Sequence, residues 1–345
     1  MGTRDSAGIS TGTSAGIPSP LYGGGIFVSS KPFQTLDEQI GILKGRDMII
    51  QDIEKAKRFL LSNNYYNIIN GYSKFFPRKS EKYINGTTFN EVTQLYLFDI
   101  KIKEAFFQAI LAAESHLKAI FAYRFAEAFH DIPYAYLNIS CYDPRKTLSV
   151  VSTISKLSGI INYQKNNRES SIYHYIHEYH HVPIWVLVNY LDFGELRHML
   201  DSSQERIQNK VAKDISEFVQ QNIQSATTFT PEVMLAFISN INEVRNVCAH
   251  NNRLLGFHCR RDDKYWAPLH NPYSITPNDE RRDAYSVFLS LQCFLSKKEF
   301  QILHNTLRKR MNYLRNQLNS IDINQILSLL GFPDDWNTTV SKIKQ

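Results

Sequence analysis

The sequence predicts an all-α protein, and three observations support this fold class. Apolar residues recur at steps of three or four over long segments, which is the spacing of one helix face. Residues that favour helix N-caps stand at the start of several of these segments. No segment shows the strong alternation of apolar and polar residues that half-buried strands require. With 43% hydrophobic residues, the 345-residue chain can fill a helical core.

The N-terminal part predicts a tail followed by two helices. Residues 1–30 are rich in Gly, Ser, Thr, Ala and Pro without any period, which predicts a disordered tail. The first helix is expected to follow Thr35, which can form a capping box with Glu38 three residues later. A second helix is expected over about residues 49–61.

The longest periodic segment predicts a core helix over about residues 88–130. Its apolar positions form one continuous stripe, which comprises Leu95, Phe98, Ile102, Phe106, Ala109, Ala113, Leu117 and Ile120. Residues 131–147 include two prolines and no clear period, so they predict a connection. Further helices are expected from about residue 148, over 184–200 and over 205–223.

A well-delimited helix is expected after Thr230. Thr230 is a favourable N-cap residue, and Pro231 occupies the first helical position, where its missing N–H costs nothing. Met234, Ile241 and Val244 mark the buried stripe of this helix.

These elements predict one main domain and one addition. The main helical domain is expected over residues 31–270, with core helices at about 88–130 and 184–256. Residues 271–345 are expected to form a C-terminal helical extension.

Composition and charge narrow the function classes. The formal net charge of +6 and the pI near 8.9 suit a nucleic-acid partner. The four cysteines lie far apart without a C-x-x-C pair, which is typical of a reduced, intracellular protein. Neither a secretory signal pattern nor an apolar run of about 20 residues is present, so we expect a cytoplasmic protein with no membrane partner.

The run Glu243 to Arg253 contains an arginine, an asparagine and a histidine that suit phosphate chemistry. Arg245 can clamp a phosphate, and His250 can transfer a proton near neutral pH. Five helical residues turn the chain by about 140° and advance it by ~7.5 Å, so the two side chains converge poorly from one helix. Asn246 and His250, at i and i+4, share a face. The spacing therefore favours a composite site between two copies of the chain, most simply a homodimer.

A second pattern, His177-Glu178-Tyr179-His180-His181, satisfies the H-E-x-x-H signature of zinc proteases. Pro183 follows two residues later and should end the helix that this signature requires. We therefore expect no metal site here, and a polar-aromatic surface that could stack on RNA bases is the better interpretation.

The R-N-x-x-A-H run at the end of an apolar helix resembles the active-site motif of HEPN domains, which are small helical bundles that include many metal-independent ribonucleases. The wider chain resembles bacterial abortive-infection proteins of the AbiD/AbiF type. The segments that carry this resemblance are Lys31-Pro32-Phe33, Glu38-Gln39-Ile40, Asn64-Tyr65-Tyr66, Gly71-Tyr72, Pro183-Ile184-Trp185-Val186, Phe193-Gly194-Glu195-Leu196 and Arg245-Asn246-Val247-Cys248-Ala249-His250-Asn251. They span roughly residues 31–256 in order.

The resemblance implies a HEPN-like bundle and a metal-independent endoribonuclease that needs no cofactor. Arg245 and His250 would form the catalytic pair, with Asn246 as the accompanying polar residue. Glu114 is the carboxylate expected near Arg245, where it would orient the guanidinium. The basic residues expected to contact RNA are Lys118, Arg253, Arg260, Arg261, Arg308, Lys309 and Arg310.

Two functions share these features. The first is a ribonuclease toxin of antiphage defence, with RNA as its substrate. Because an unrestrained ribonuclease harms its host, an antitoxin or a regulatory RNA is expected as a further partner. The second is a non-catalytic RNA-binding protein that holds a structured or small noncoding RNA. The two functions differ only in whether the protein cleaves the RNA that it binds.

Overall fold

The computed structural model describes residues 33–223 and 227–343, so the expected tail over residues 1–30 lies outside the described residues. The fold is all-α, as the sequence predicts. Among the described residues, the only strands are β1 (Arg78–Lys79) and β2 (Lys82–Tyr83), which form a short antiparallel hairpin. None of the helices described is long and apolar enough to cross a membrane.

The N-terminal layer consists of α1 (Leu36–Gly45), α2 (Ile53–Asn63) and a π-helical turn over Tyr66–Asn70. Helix α1 begins with the expected capping box between Thr35 and Glu38. Helix α2 begins four residues later than the sequence suggested. Its N-cap is Asp52, whose carboxylate accepts from the Lys55 N–H, while Ile49 pairs with Thr88 in a bridge.

The expected long core helix is α3 (Phe89–Ala128), 40 residues in length. Thr88 and Glu91 form a capping box at its start, and the predicted apolar stripe is buried from Leu95 to Leu117. Because α3 is so long, it packs against helices from both the middle and the C-terminal parts of the chain, and its buried residues belong to one hydrophobic cluster.

The middle of the chain adds helices that pack against α3 or against one another. These helices are α4 (Thr147–Gln164), α5 (Ser171–Tyr179), α6 (Ile184–Leu187), α7 (Phe193–Ser202) and α8 (Glu205–Asn222). The expectation of one helix over residues 184–200 was wrong. A 3-10 turn at Val188–Tyr190 follows α6, and α7 starts with a new capping box between Asp192 and Glu195.

The helix that carries Arg245 and ends just before His250 is α9 (Pro231–Ala249). Thr230 caps it and Pro231 occupies its first turn, as expected. Helix α9 packs against α3, α7 and α8, so its C-terminal turn lies beside the first half of α3.

The C-terminal extension packs directly onto the main domain. It follows α10 (Ala267–His270) and consists of α11 (Ala284–Ser290), α12 (Lys297–Arg315), α13 (Ile323–Leu329) and α14 (Trp336–Thr339). Helix α12 lies along α3, and α11 packs against α9. Buried residues of these helices belong to the same hydrophobic cluster as those of α3.

Glu91 fastens the C-terminal extension to the start of α3. Its Oε1 accepts from the N–H of Asn319 at 2.7 Å and from the N–H and Oγ of Ser320 at 2.7 and 2.9 Å. Its Oε2 accepts from the N–H of Thr88 at 3.0 Å. Burial alone would raise the pKa of Glu91, but these amide and hydroxyl donors hold it below the ordinary value.

We predict that Glu91→Gln lowers the free energy of unfolding by about 1.5–3 kcal/mol at pH 7, because hydrogen bonds to a charged acceptor are lost. A lowered folded-state pKa contributes stability above the unfolded-state pKa, and this stability is lost as the pH falls. The wild type should therefore lose more stability than the variant below about pH 4.5, as measured by urea unfolding.

The matched control is Glu38→Gln, because Glu38 forms the same kind of capping box at the exposed start of α1. It should cost less than 1 kcal/mol. Equal losses for the two variants at pH 7 would show that the contacts with Asn319 and Ser320 add nothing.

Candidate functional site

The last turn of α9 exposes two of the three motif side chains. Asn246 and His250 are both solvent-exposed. His250 is the C-cap residue, and its N–H donates to the Asn246 carbonyl at 3.0 Å. Within the described part of the chain, the His250 imidazole has no hydrogen-bond partner. An exposed, unengaged imidazole can exchange protons with a bound ligand.

Arg245 is half-buried against α3. Its guanidinium carbon lies 5.9 Å from the centroid of the Phe107 ring. Its Nε is buried without a hydrogen-bond partner, and no carboxylate of the described residues forms an ion pair with it. A partly desolvated cation without a counter-ion is costly, and a bound phosphate would supply the missing charge.

The turn after His250 is held by a buried lysine of α3. Lys103 Nζ donates to Asn251 Oδ1 at 2.7 Å and to the Asn252 carbonyl at 3.1 Å. Asn251 has a φ of 51°, a left-handed conformation that Asn tolerates better than most residues. Lys103 itself is only 4% exposed. It therefore fixes the path of the chain directly after the motif.

Asp99, one helical turn before Lys103, completes this network. Its Oδ2 lies 3.1 Å from Lys103 Nζ and accepts from the Tyr72 hydroxyl at 2.9 Å. Its Oδ1 accepts from the N–H groups of Leu254 and Leu255 at 3.1 and 3.0 Å. Burial and the nearby carboxylate raise the pKa of Tyr72, so its hydroxyl remains a donor. The pair thus locks residues 251–255 onto α3.

The structure does not pair Glu114 with Arg245 as the sequence suggested. Glu114 is 6% exposed, and its Oε1 forms an ion pair with Lys118 at 2.7 Å. Its Oε2 is buried without a hydrogen-bond partner. Glu114 lies seven residues after Phe107, which itself lies four residues after Lys103. Glu114 is therefore on the same face of α3 as Phe107, the residue that contacts Arg245.

Two of the cations expected to contact RNA have structural roles instead. Lys118 donates to the Leu191 carbonyl at 2.7 Å, just before α7, in addition to its ion pair. Arg253 donates to the carbonyls of Gly71 and Leu255 at 2.7 and 3.1 Å, and its guanidinium lies over the Phe75 ring. These donors are occupied by the protein's own carbonyl groups.

Arg260 and Arg261 remain exposed on the loop after α9. The backbone of this loop is held against α9, because the Arg260 N–H donates to Glu243 Oε2 at 3.0 Å and Asn240 Nδ2 donates to the Arg261 carbonyl at 3.1 Å. Their guanidinium groups have no hydrogen-bond partner in the described residues. Both side chains can therefore meet a ligand.

The three basic residues predicted on the C-terminal extension lie on α12. Arg308 is half-buried, and its Nε donates to the Val340 carbonyl at 2.9 Å. Lys309 is exposed, and Arg310 is half-buried with an Nε that lacks a partner. Of these three residues, Arg308 alone has a hydrogen-bond partner among the described residues.

The histidines of the H-E-x-x-H run do not share a helix. Helix α5 ends at Tyr179, and His180 adopts a φ of 54°. His181 Nε2 accepts from the Tyr134 N–H at 3.2 Å, while His177 Nδ1 donates to the Tyr173 carbonyl at 2.8 Å. In residues 33–223 and 227–343, no three potential ligands converge to hold a metal ion.

Cys248, on α9, is the cysteine nearest to the motif. Burial raises the pKa of its thiol to about 12, so the thiol stays protonated and unreactive near neutral pH.

Sequence reasoning did not identify Asp99, Lys103 or Asn251. A signal was present, since Asp99 and Lys103 interrupt the apolar stripe of α3 at an i, i+4 spacing. Charges at such positions are almost never buried unless they are paired. The segment that these two residues bind lies about 150 residues later in the chain, and its own sequence does not indicate the contact.

We predict that Lys103→Met lowers the free energy of unfolding by about 3–5 kcal/mol, because Asp99 would become a buried charge without a cation. The double variant Asp99→Asn/Lys103→Met should recover part of this loss, since the uncompensated charge is gone. Both are measured by denaturant unfolding.

Lys101→Met serves as the control, because Lys101 forms an exposed ion pair with Glu104 on the same helix. It should cost about 0.2–1 kcal/mol. Similar unfolding midpoints for Lys103→Met and Lys101→Met would contradict the role assigned to the buried pair.

Comparison with known proteins places this site inside a family. No curated protein matches the chain, and no solved structure does. The family described as Abi-like protein matches residues 58–256, which is more than half of the chain. The matched segment includes α3, the Asp99–Lys103 pair and the motif of α9, and it ends before α11 and α12. This chain therefore belongs to the Abi-like protein family.

Proposed function

We propose that this Abi-like protein is a metal-independent endoribonuclease of the HEPN type that acts in abortive-infection defence. Within the family, we assign it to the AbiD/AbiF type. One observation carries the proposal. An exposed His250 lies five residues after Arg245, neither side chain has a charged partner among the described residues, and a buried network fixes the turn that follows. The defence role rests on membership of the Abi-like family.

The reaction that suits these groups is attack of an RNA 2′-hydroxyl on the adjacent phosphate. The 2′-oxygen bonds to phosphorus and the 5′-oxygen of the next nucleotide leaves, which yields a 2′,3′-cyclic phosphate and a 5′-hydroxyl. His250 accepts the proton of the attacking hydroxyl or returns one to the leaving oxygen. Arg245 stabilises the charge that develops on the phosphorane, and Asn246 orients the bound phosphate.

The site is proposed to form between two copies of the chain. Arg245 lies against Phe107 of α3, whereas Asn246 and His250 face solvent at the end of α9. Because five helical residues separate Arg245 and His250 by about 140°, one helix presents them in different directions. A two-fold axis near the end of α9 would place His250 of one chain opposite Arg245 of the other.

A toxic ribonuclease of this kind requires control. We propose an antitoxin or a regulatory RNA as the partner that restrains it until infection. Arg260 and Arg261 are exposed beside α9, so they are available to contact either the substrate or such an RNA.

A non-catalytic RNA-binding function is the second candidate. The observation that favours it is the missing contact between Glu114 and Arg245. In the single chain, no described carboxylate orients the guanidinium, and Glu114 is engaged by Lys118 instead. Binding would need the charge of Arg245 but not its orientation.

We predict that His250→Ala reduces cleavage of total RNA by about 10²–10⁴-fold, because the proton-transfer group is lost. Cleavage by the wild type should continue in the presence of a chelator. Gel analysis of the RNA fragments and their 2′,3′-cyclic ends measures both.

His130→Ala, at an exposed histidine just after α3, is the control and should cleave like the wild type. Full activity of His250→Ala would rule out the catalytic assignment. Loss of wild-type activity with chelator would overturn the metal-independent mechanism. Intact RNA bound tightly by the wild type would favour the binding function.

We predict that Arg245→Ala and His250→Ala chains complement each other when they are coexpressed. If each site takes Arg and His from different subunits, a mixed dimer retains one intact site, so random pairing should restore about a quarter of the wild-type activity. Each variant expressed alone should be inactive. A mixture that stays inactive, although mixed dimers are isolated, would contradict the composite site.

A further inference from the structure

Helix α12 concentrates cations that the protein leaves unpaired. It contains one acidic residue, Glu299, and six basic residues: Lys297, Lys298, Arg308, Lys309, Arg310 and Arg315. None of these six forms an ion pair with a carboxylate of the described residues. By contrast, the lysines of α3 at positions 101, 103 and 118 are all paired. The excess of basic over acidic residues in α12 therefore nearly equals the net charge of the whole chain, which is +6.

A groove of about 1040 Å³ lies between α12 and the C-terminal segment. Its charged lining residues are all cationic: Lys298, Arg308, Lys309 and Lys342. Among the residues that the structure describes, no carboxylate lines it, and Asn305, Thr306 and Asn312 supply neutral polar groups. Positive charge on several sides of one groove creates a stronger potential than the same charges on a convex surface.

The second wall of the groove is fixed by hydrogen bonds. Arg308 Nε donates to the Val340 carbonyl at 2.9 Å, while Gln301 Nε2 and Asn305 Nδ2 each donate to the Ile343 carbonyl at 2.9 Å. The Ile343 N–H donates to Asn305 Oδ1 at 3.0 Å. These contacts hold residues 340–343 along α12, so the groove is formed before any ligand arrives.

In the described part of the chain, the ammonium groups of Lys298, Lys309 and Lys342 have no hydrogen-bond or ion-pair partner. Lys298 and Lys309 are eleven residues apart, which corresponds to about 16 Å along the helix. This length exceeds what a single phosphate needs and suits several phosphates of an extended strand. Small-molecule sites are lined mostly by hydrophobic and aromatic side chains, whereas eight of the ten residues that line this groove are polar or charged. A flat membrane surface could not enter this groove.

We propose that this groove binds the phosphate backbone of single-stranded RNA and is an accessory binding site supplied by the C-terminal extension. It lies outside the segment that matches the family, residues 58–256. Lysines act here as point charges without base recognition, so binding should be independent of sequence and sensitive to salt. The proposal rests on the proposed function only in taking RNA as the ligand.

The test uses the full chain carrying His250→Ala, so that RNA is bound without being cut. The groove variant adds Lys298→Ala, Lys309→Ala and Lys342→Ala. Arg308 is left intact because it holds Val340. We expect the affinity for a labelled, unpaired RNA to fall at least tenfold at low salt. The slope of log affinity against log salt should become shallower by about 2, since each single-strand phosphate contact contributes about 0.7.

The control adds Lys44→Ala, Lys55→Ala and Lys156→Ala, three exposed lysines of α1, α2 and α4 without ion pairs, and so removes the same charge. Its affinity and salt slope should stay close to those of the parent. Equal effects of the two triple variants would overturn the proposal, because only net charge would then matter. Loss of binding to anionic lipid vesicles, with RNA binding unchanged, would overturn it as well.

The groove and the nuclease function can fail separately. If the wild type does not cleave RNA but the groove variant binds it more weakly than the control, the groove stands and the ribonuclease proposal falls. If the wild type cleaves RNA but both triple variants bind equally, the ribonuclease proposal stands and the groove falls. Thermal unfolding of both variants verifies that the fold is retained.

Discussion

The buried ion pair between Asp99 and Lys103 is the contact on which the candidate site depends. It joins α3 to the turn after α9 through Asn251, and to the N-terminal layer through Tyr72. Both charges are almost fully buried, so neither can be left without its partners. The position of His250 relative to α3 follows from this pair, because the chain leaves the motif through residues that the pair holds.

Helix α3 extends this arrangement over its whole length. Glu91 holds the C-terminal extension, the Asp99–Lys103 pair holds the turn after the motif, and the Glu114–Lys118 pair holds the approach to α7. Each is a buried carboxylate that accepts backbone N–H groups or engages a lysine that binds a carbonyl. Phe107, between them, supports Arg245. The Arg245–His250 motif, which lies in the segment that matches the family, and α12, which lies outside it, therefore pack on the same helix.

The sequence predicted the helices well wherever a cap and a clear period coincided, as at Thr35, Thr88 and Thr230. The sequence did not predict that the helix ends before Asp192 and that a new one begins there. The apolar residues of α6 and α7 form one continuous hydrophobic segment, and the 3-10 turn lies within it. Arg245, Asn246 and His250 were predicted from the motif, and their role at a site stays a prediction. Lys118 and Arg253 were expected to contact RNA, and the structure shows that both donate to backbone carbonyl groups, which the sequence did not indicate.

The sequence by itself determined the all-α class, the main helices and the position of the Arg245–His250 motif at a helix end. These features depend on local spacing, which the residues carry with them. Only the tertiary structure decided which charges are paired, which are buried and which have no partner among the described residues. Asp99 and Leu254 are 155 residues apart, and no local pattern specifies such a contact. The free cations of α12 became recognisable as a groove only once the C-terminal segment was seen to lie along them.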